Sequence, residues 1–214
     1  KKKPQASELP QVDSTEELPP GPGLLPPLLV NGDIVPASPR GEAQSIHVLQ
    51  TLSIHCLGSF QVYQGDQLIN NWPSGKGKAI LKFIVASGGR PVFKDVLIDT
   101  FWRGAEPEAA RKNLYVAIHG LRQAFKAVQP DFPYILFYDD HYFLNPDMEV
   151  WVDIEEFDKH FQAGQSLERR GALAEATLEF EVAERLYTGD LLEDDLYEEW
   201  IFPLRQSLKE NYII

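Results

Sequence analysis

Apolar residues keep a recognisable spacing only from about residue 46 onward. Residues 1–45 hold nine prolines and four glycines among Glu, Ser and Gln, with no surviving apolar period, which predicts a disordered Pro-rich linker. Short strand-like runs follow at 53–57, 60–63 and 67–69, separated by Gly58-Ser59 and by Gln64-Gly65-Asp66; they read as strands joined by turns. The period then lengthens to that of a helix. Ala79, Ile80, Phe83, Ile84 and Ala86 form a stripe between a capping Ser74 and the stop at Gly88-Gly89. After an extended Arg90-Pro91-Val92 connector, residues 94–102 predict a second, shorter helix with Val96, Leu97 and Phe101 facing inward. Residues 108–128 predict the longest helix, with Pro107 at its first turn and Leu114, Ala117, Ile118, Leu121, Phe125 and Val128 on one face. Runs at 134–138 and 141–144 flank Asp139-Asp140 and predict a β-hairpin.

Past Val150 the pattern becomes wholly helical. Asp153 is placed to cap a helix running through Phe157 and Phe161 to Gly164. Leu173, Ala176, Phe180, Ala183 and Leu186 mark another, and a last one starts near Tyr197 and carries Trp200, Leu204 and Leu208. Antiparallel helix pairs of this length suit a tetratricopeptide-type solenoid. One pair and the start of the next is too little for a complete core, so either the module is truncated or it packs on the region before it. Small strands, three helices and a hairpin directly after the third make a winged helix-turn-helix, with the third helix as groove reader and the hairpin as wing. The expected fold class is therefore α+β: a winged helix-turn-helix with an N-terminal small β-sheet and a C-terminal wing, followed by all-α tetratricopeptide-like helices. The expected domains are 1–45 linker, 46–148 winged helix and 149–214 helical module.

Charge refines this division. The chain of 214 residues has a formal net charge of −12, which by itself argues against nucleic acid. Residues 1–50 carry four Lys/Arg against six Asp/Glu, residues 51–148 ten against nine, and residues 149–214 six against seventeen. The acidity thus belongs to the C-terminal third, and the basic residues gather in the middle. On the long helix, Arg111, Tyr115, His119, Arg122 and Lys126 step by three and four and fall beside the apolar face, with Lys112 at the edge. A core face next to a basic, hydrogen-bonding strip is what a helix needs in a DNA major groove.

Several other chemistries are set aside. Ser74-Gly75-Lys76-Gly77-Lys78 lacks the first glycine and the final Ser/Thr of a phosphate loop. The single cysteine, Cys56, lies in an apolar run and reads as core; with no disulfide to form, it leans towards a reducing, cytoplasmic setting. The five histidines show no ligand spacing, so no metal or cofactor is expected. Asp190, Glu193, Asp194, Asp195, Glu198 and Glu199 lack the order and glycine of a calcium loop and read as a solvated or DNA-repelling face. No triad or carboxylate pair suggests an enzyme. No apolar run is long enough to span a bilayer.

The order of Leu57-Gly58-Ser59-Phe60, Lys78, Gly89-Arg90-Pro91-Val92, Phe101-Trp102, Glu108-Ala109-Ala110-Arg111, Leu114-Tyr115-Val116-Ala117-Ile118 and Leu121-Arg122 resembles the SARP family of bacterial transcriptional regulators. So does the sequel: Val152-Asp153 with Phe157, Leu186-Tyr187-Thr188-Gly189-Asp190 with Leu192, Tyr197-Glu198-Glu199-Trp200, and Arg205. The second half looks like that family's bacterial transcriptional activator domain, begun at 149 and cut short at 214. The resemblance covers about 52–214. It implies a sequence-specific regulator that binds double-stranded DNA and recruits RNA polymerase, often as side-by-side protomers of a homodimer. The family wing usually carries Gly-Tyr-Arg-Leu, where this chain has His141-Tyr142-Phe143-Leu144 behind two carboxylates. Loss of that arginine weakens the grip on the DNA backbone. Arg103, where the family often has proline, adds a positive charge next to the groove reader.

The DNA-binding expectation thus rests on Arg111, Lys112, Tyr115 and His119 at base edges or nearby phosphates, Arg122 and Lys126 at phosphates, and Arg103 beside them. For Arg122, pairing with an acid at the core edge is an equal alternative, and for Tyr115, packing. The rival function is a protein-interaction or dimerisation module with weak or lost DNA binding.

Overall fold

The computed structural model describes residues 51–126 and 130–213, with side chains up to 210. The expected linker at 1–45, and Val128 of the longest helix, lie outside the described residues. Strands β1 (Thr51–His55), β2 (Gln61–Gln64) and β3 (Gln67–Leu68) form an antiparallel meander. In β1 the burial alternates, with Leu52 and Ile54 turned into the core, as a sheet with one wet face requires. Helix α1 (Gly75–Ala86) follows, and the Ser74 hydroxyl accepts from the Gly77 N–H at 3.0 Å, capping it as expected.

Strand β4 (Val92–Phe93) leads straight into α2 (Lys94–Phe101), and α3 (Pro107–Lys126) comes next. Leu97 and Phe101 of α2 are buried, but Val96 is 45% exposed and does not face inward. Strands β5 (Ile135–Tyr138) and β6 (His141–Leu144) are the expected hairpin. Its two turn residues, Asp139 and Asp140, both sit at positive φ (47° and 62°), the geometry a two-residue primed turn demands. The short Arg90-Pro91-Val92 connector is more than a spacer, because β4 pairs with β6 and makes the hairpin a three-stranded sheet in the order β4-β6-β5.

Strand β7 (Glu149–Val152) departs from the wholly helical pattern expected past Val150. It adds to the first sheet in parallel with β1, aligning Leu52 with Val150 and Ile54 with Val152 and giving the order β3-β2-β1-β7. Helix α4 (Asp153–Arg169) starts on the next residue and runs five residues beyond Gly164. It pairs with α5 (Leu173–Leu186), and the ring of Phe180 lies over Gly164. Two short 3-10 turns, Glu193–Asp195 and Glu199–Ile201, precede α6 (Phe202–Ile213). Tyr197 is not part of this last helix; it stands in a turn, 98% exposed.

Asp153 does not cap α4 in the expected way. It is buried, one carboxylate oxygen accepts from the Cys56 and Leu57 N–H groups at 2.7 and 2.8 Å, and the other accepts from its neighbour Ile154. It therefore ties the start of α4 to the end of β1. Burial pushes this carboxyl above its ordinary range, opposed by the backbone bonds from Leu57 and Cys56. The same β1–β2 loop holds the segment after α5. Leu57 bridges Leu191, Gly58 N–H donates to Asp190 O at 2.9 Å, and Leu192 N–H donates to Cys56 O at 2.7 Å. Gly58 sits at φ 105°, where only glycine is at ease, and a Cβ there would press on Thr188.

The acidic cluster is correspondingly not a simple solvated face. Asp195 pairs with buried Lys82 of α1, Glu193 accepts from the Ser59 hydroxyl, Asp194 from the Phe60 N–H, and Asp190 pairs with Lys209 at 2.6 Å. Arg205, itself buried, donates to the carbonyls of Leu191, Leu192, Asp195 and Leu196 and so closes this loop from behind. Cys56 is core, as expected, and burial pushes its thiol well up. One continuous apolar cluster runs from Leu52 and Ile54 through α1 and α3 to Phe157, Leu191 and Ile201. The helical module thus packs on the region before it.

Candidate nucleic-acid interface

Helix α3 is seated by two glycines. At Gly77 a Cβ would stand 2.5 Å from the Ala117 carbonyl oxygen, and at Gly120 it would stand 2.5 Å from the Ser74 Cβ. Backbone meets backbone there, so α1 and α3 cross at close range, and Leu114, Ala117, Ile118, Leu121, Ala124 and Phe125 of α3 are buried. The far side is held by Arg122. Its Nε and Nη2 both donate to the Ile135 carbonyl of β5, at 3.1 and 3.0 Å. Neither an acid nor open solvent is its main partner; it is half-buried and pins the helix to the hairpin.

The buried face of α3 is broader than the sequence pattern suggested. Ala110, Gly120 and Ala124 are also buried, which widens the core arc. At about 100° per residue the exposed arc then centres near His119 and Lys112. Arg111 and Arg122 stand on its hairpin flank, and Val116 and Gln123 on the other. Arg111 pairs with Glu108 at 2.7 Å on the exposed surface, a contact that in water is weak. Tyr115 is 62% exposed, so it does not pack into the core. His119 lies 3.4 Å from the Gln123 amide. Lys112 and Lys126 are exposed and make no ion pair among the described residues. Arg103 stands apart, with its guanidinium 3.9 Å from Glu199 and both side chains largely in solvent.

Other basic residues of this region are committed elsewhere. Lys78 and Lys82 lie over the Phe60 ring, Lys78 also over Trp72, and Lys76 over Phe101. Burial lowers the Lys78 pKa. The hairpin tip is less repulsive than two aspartates imply, because Lys94 pairs with Asp140 at 2.7 Å and its backbone N–H donates to the Asp140 carbonyl. That pairing raises the Lys94 pKa. Tyr142 is buried behind the hairpin, and burial pushes its phenol up to about 12. Phe137 and Tyr138 remain exposed on β5. Val116 and Gln123 also border this surface and Lys94 supports the hairpin tip, and the sequence pattern marks none of them; Lys94 has no local signal, since its partner lies 46 residues away.

Residues 152–213 match the family model of the bacterial transcriptional activator domain. No curated protein sequence matches the chain. The fold is similar to that of a solved structure of Mycobacterium tuberculosis EmbR in complex with a low-affinity phosphopeptide, with a TM-score of 0.65 and 22% sequence identity. The similarity covers 77% of this chain and 43% of that one, so the chain spans less than half the length of the structure it matches. No helix among the described residues is long and apolar enough to cross a membrane. Residues 152–213 are thus similar to a bacterial transcriptional activator domain, and they follow a sheet-and-helix region within the stretch whose fold resembles the EmbR structure.

Proposed function

We propose that the chain is a sequence-specific DNA-binding regulator in which β5–β6 is the wing of a winged helix and α3 lies in the major groove. The observation that carries this reading is the exposed arc of α3. Lys112, Tyr115, His119 and Lys126 project from a helix whose other face is core, and Arg111 and Arg122 flank them. From 111 to 119 the arc is about 12 Å long at 1.5 Å per residue, close to the width of the groove. Arg111 and Lys112, in the earlier turns, go deepest, with Tyr115 and His119 next to them. Lys126 and the free donors of Arg122 meet phosphates, and Arg103 adds a rim contact. The regulator works in the cytoplasm, on repeated sites and as side-by-side protomers. It acts by recruiting RNA polymerase through the acidic helical module, which DNA itself repels.

A gel shift across a salt series tests this. Affinity falls steeply with salt, and Arg111→Ala with Lys112→Ala flattens the log–log slope by up to about two units. No binding to any duplex at low salt would overturn the reading. A second reading, a protein-interaction module without DNA affinity, draws on the exposed Leu196, Tyr197 and Phe202 beside Glu198 and Glu199. It gains ground only if that gel shift is empty.

A further inference from the structure

Val116 is the odd member of the α3 arc. It is 62% exposed, although it lies on a helix with ample core to receive a valine. Lys112 lies one turn before it and His119 one turn after, both exposed, and Tyr115 stands next to it. A single exposed valine on an ordinary surface has no consequence. On a helix that enters the major groove it does, because it must then face a base edge. Adenine, guanine and cytosine present only donors and acceptors there, and thymine alone presents an apolar group, its 5-methyl. A valine pressed on a donor or acceptor strips its water and returns no hydrogen bond. Against the methyl it removes apolar surface from water on both sides. Being β-branched, it keeps its two methyls in one preferred orientation in a helix, so the contact is sharp rather than adaptable.

We propose that Val116 is a specificity-determining residue that selects thymine at one position of each bound site through the 5-methyl group. This rests on the assignment of α3 as the groove reader. It adds a short, rigid aliphatic base contact to a set of residues that end in hydrogen-bonding groups.

The test separates the two levels. The 214-residue chain is first used to select bound duplexes from random-sequence DNA. Each thymine of the selected site is then replaced in turn by uracil, which removes the 5-methyl and leaves base pairing intact. The expected result is one sensitive thymine per protomer, where the replacement weakens binding roughly fourfold, the effect of one buried methyl. In Val116→Ala that sensitivity drops towards onefold, while in Lys112→Ala it persists on a weaker overall affinity. Indifference to uracil at every thymine overturns the proposal and leaves the groove-reading assignment standing, and so does an unchanged penalty in Val116→Ala. Selection of no duplex at low salt overturns both.

Discussion

Replacing Gly77 by alanine is expected to destabilise the chain by about 2 kcal/mol, although the substitution improves helix propensity by about 1 kcal/mol. The sign is set by what the new methyl meets. It would stand 2.5 Å from the Ala117 carbonyl oxygen, 3.0 Å from the Leu121 amide nitrogen and 3.1 Å from the Leu121 Cβ. The first two are backbone atoms of α3, so no side chain can turn away to make room. Relief requires α1 and α3 to separate, and overpacking of this kind costs about 3 kcal/mol at its upper range. Gly75→Ala, with nothing within 4 Å of its added methyl, is the control and is expected to be neutral or slightly stabilising. Urea denaturation of the two variants gives the comparison. A Gly77→Ala protein as stable as the Gly75→Ala protein would show that the helices do not cross at this distance. Because α3 carries the arc proposed to meet DNA, the Gly77 variant should also lose affinity in the folded state, through a shifted helix rather than a lost contact.

Asp153→Ala is expected to cost about 3 kcal/mol, and Asp153→Asn less. The alanine leaves the buried N–H groups of Cys56 and Leu57 without their acceptor, and each orphaned buried donor costs about 1–3 kcal/mol. Part of this is returned, since removing the side chain also removes the desolvation that pushes its carboxyl up. The asparagine keeps one accepting oxygen for the two donors while placing an amide where the second oxygen met Ile154. The ordering of the three proteins in urea midpoint is the measurement. Equal midpoints for wild type and Asp153→Ala would remove Asp153 as a structural tie.

What was legible in the sequence was local. The stripe of α1 with its Ser74 cap, the long periodic face of α3 and the Asp139-Asp140 hairpin all emerged near their expected bounds, because period, cap and turn chemistry act within a few residues. The misreadings concern partners far away in the chain. Val150, Trp151 and Val152 favour a strand, but the run is only four residues long and its partner β1 lies nearly a hundred positions earlier. A parallel pair leaves no hairpin turn to betray it. The same distance hid the roles of the acids: Asp195 reads as a surface carboxylate until Lys82, 113 residues away, is brought against it. On α3 the basic strip was legible, but its centre was not, because Ala110, Gly120 and Ala124 were not counted as core. Small residues make little impression on a hydrophobic pattern, yet they mark where two helices come closest. Val116 falls outside both the apolar face and the basic strip, so neither pattern marks it.

The placement of β7 has a consequence for modularity. A cut at the compositional boundary, after residue 148, would leave β1 as a bare sheet edge, with its N–H and C=O groups on that side open to any extended chain. The natural unit of exchange between chains built this way is therefore not the block that sequence composition marks out. The sheet-and-helix region, transplanted onto a foreign helical module, must bring its own Glu149–Val152, with Asp153 behind it. A chimera joined four or five residues earlier would inherit a sticky edge instead of a junction.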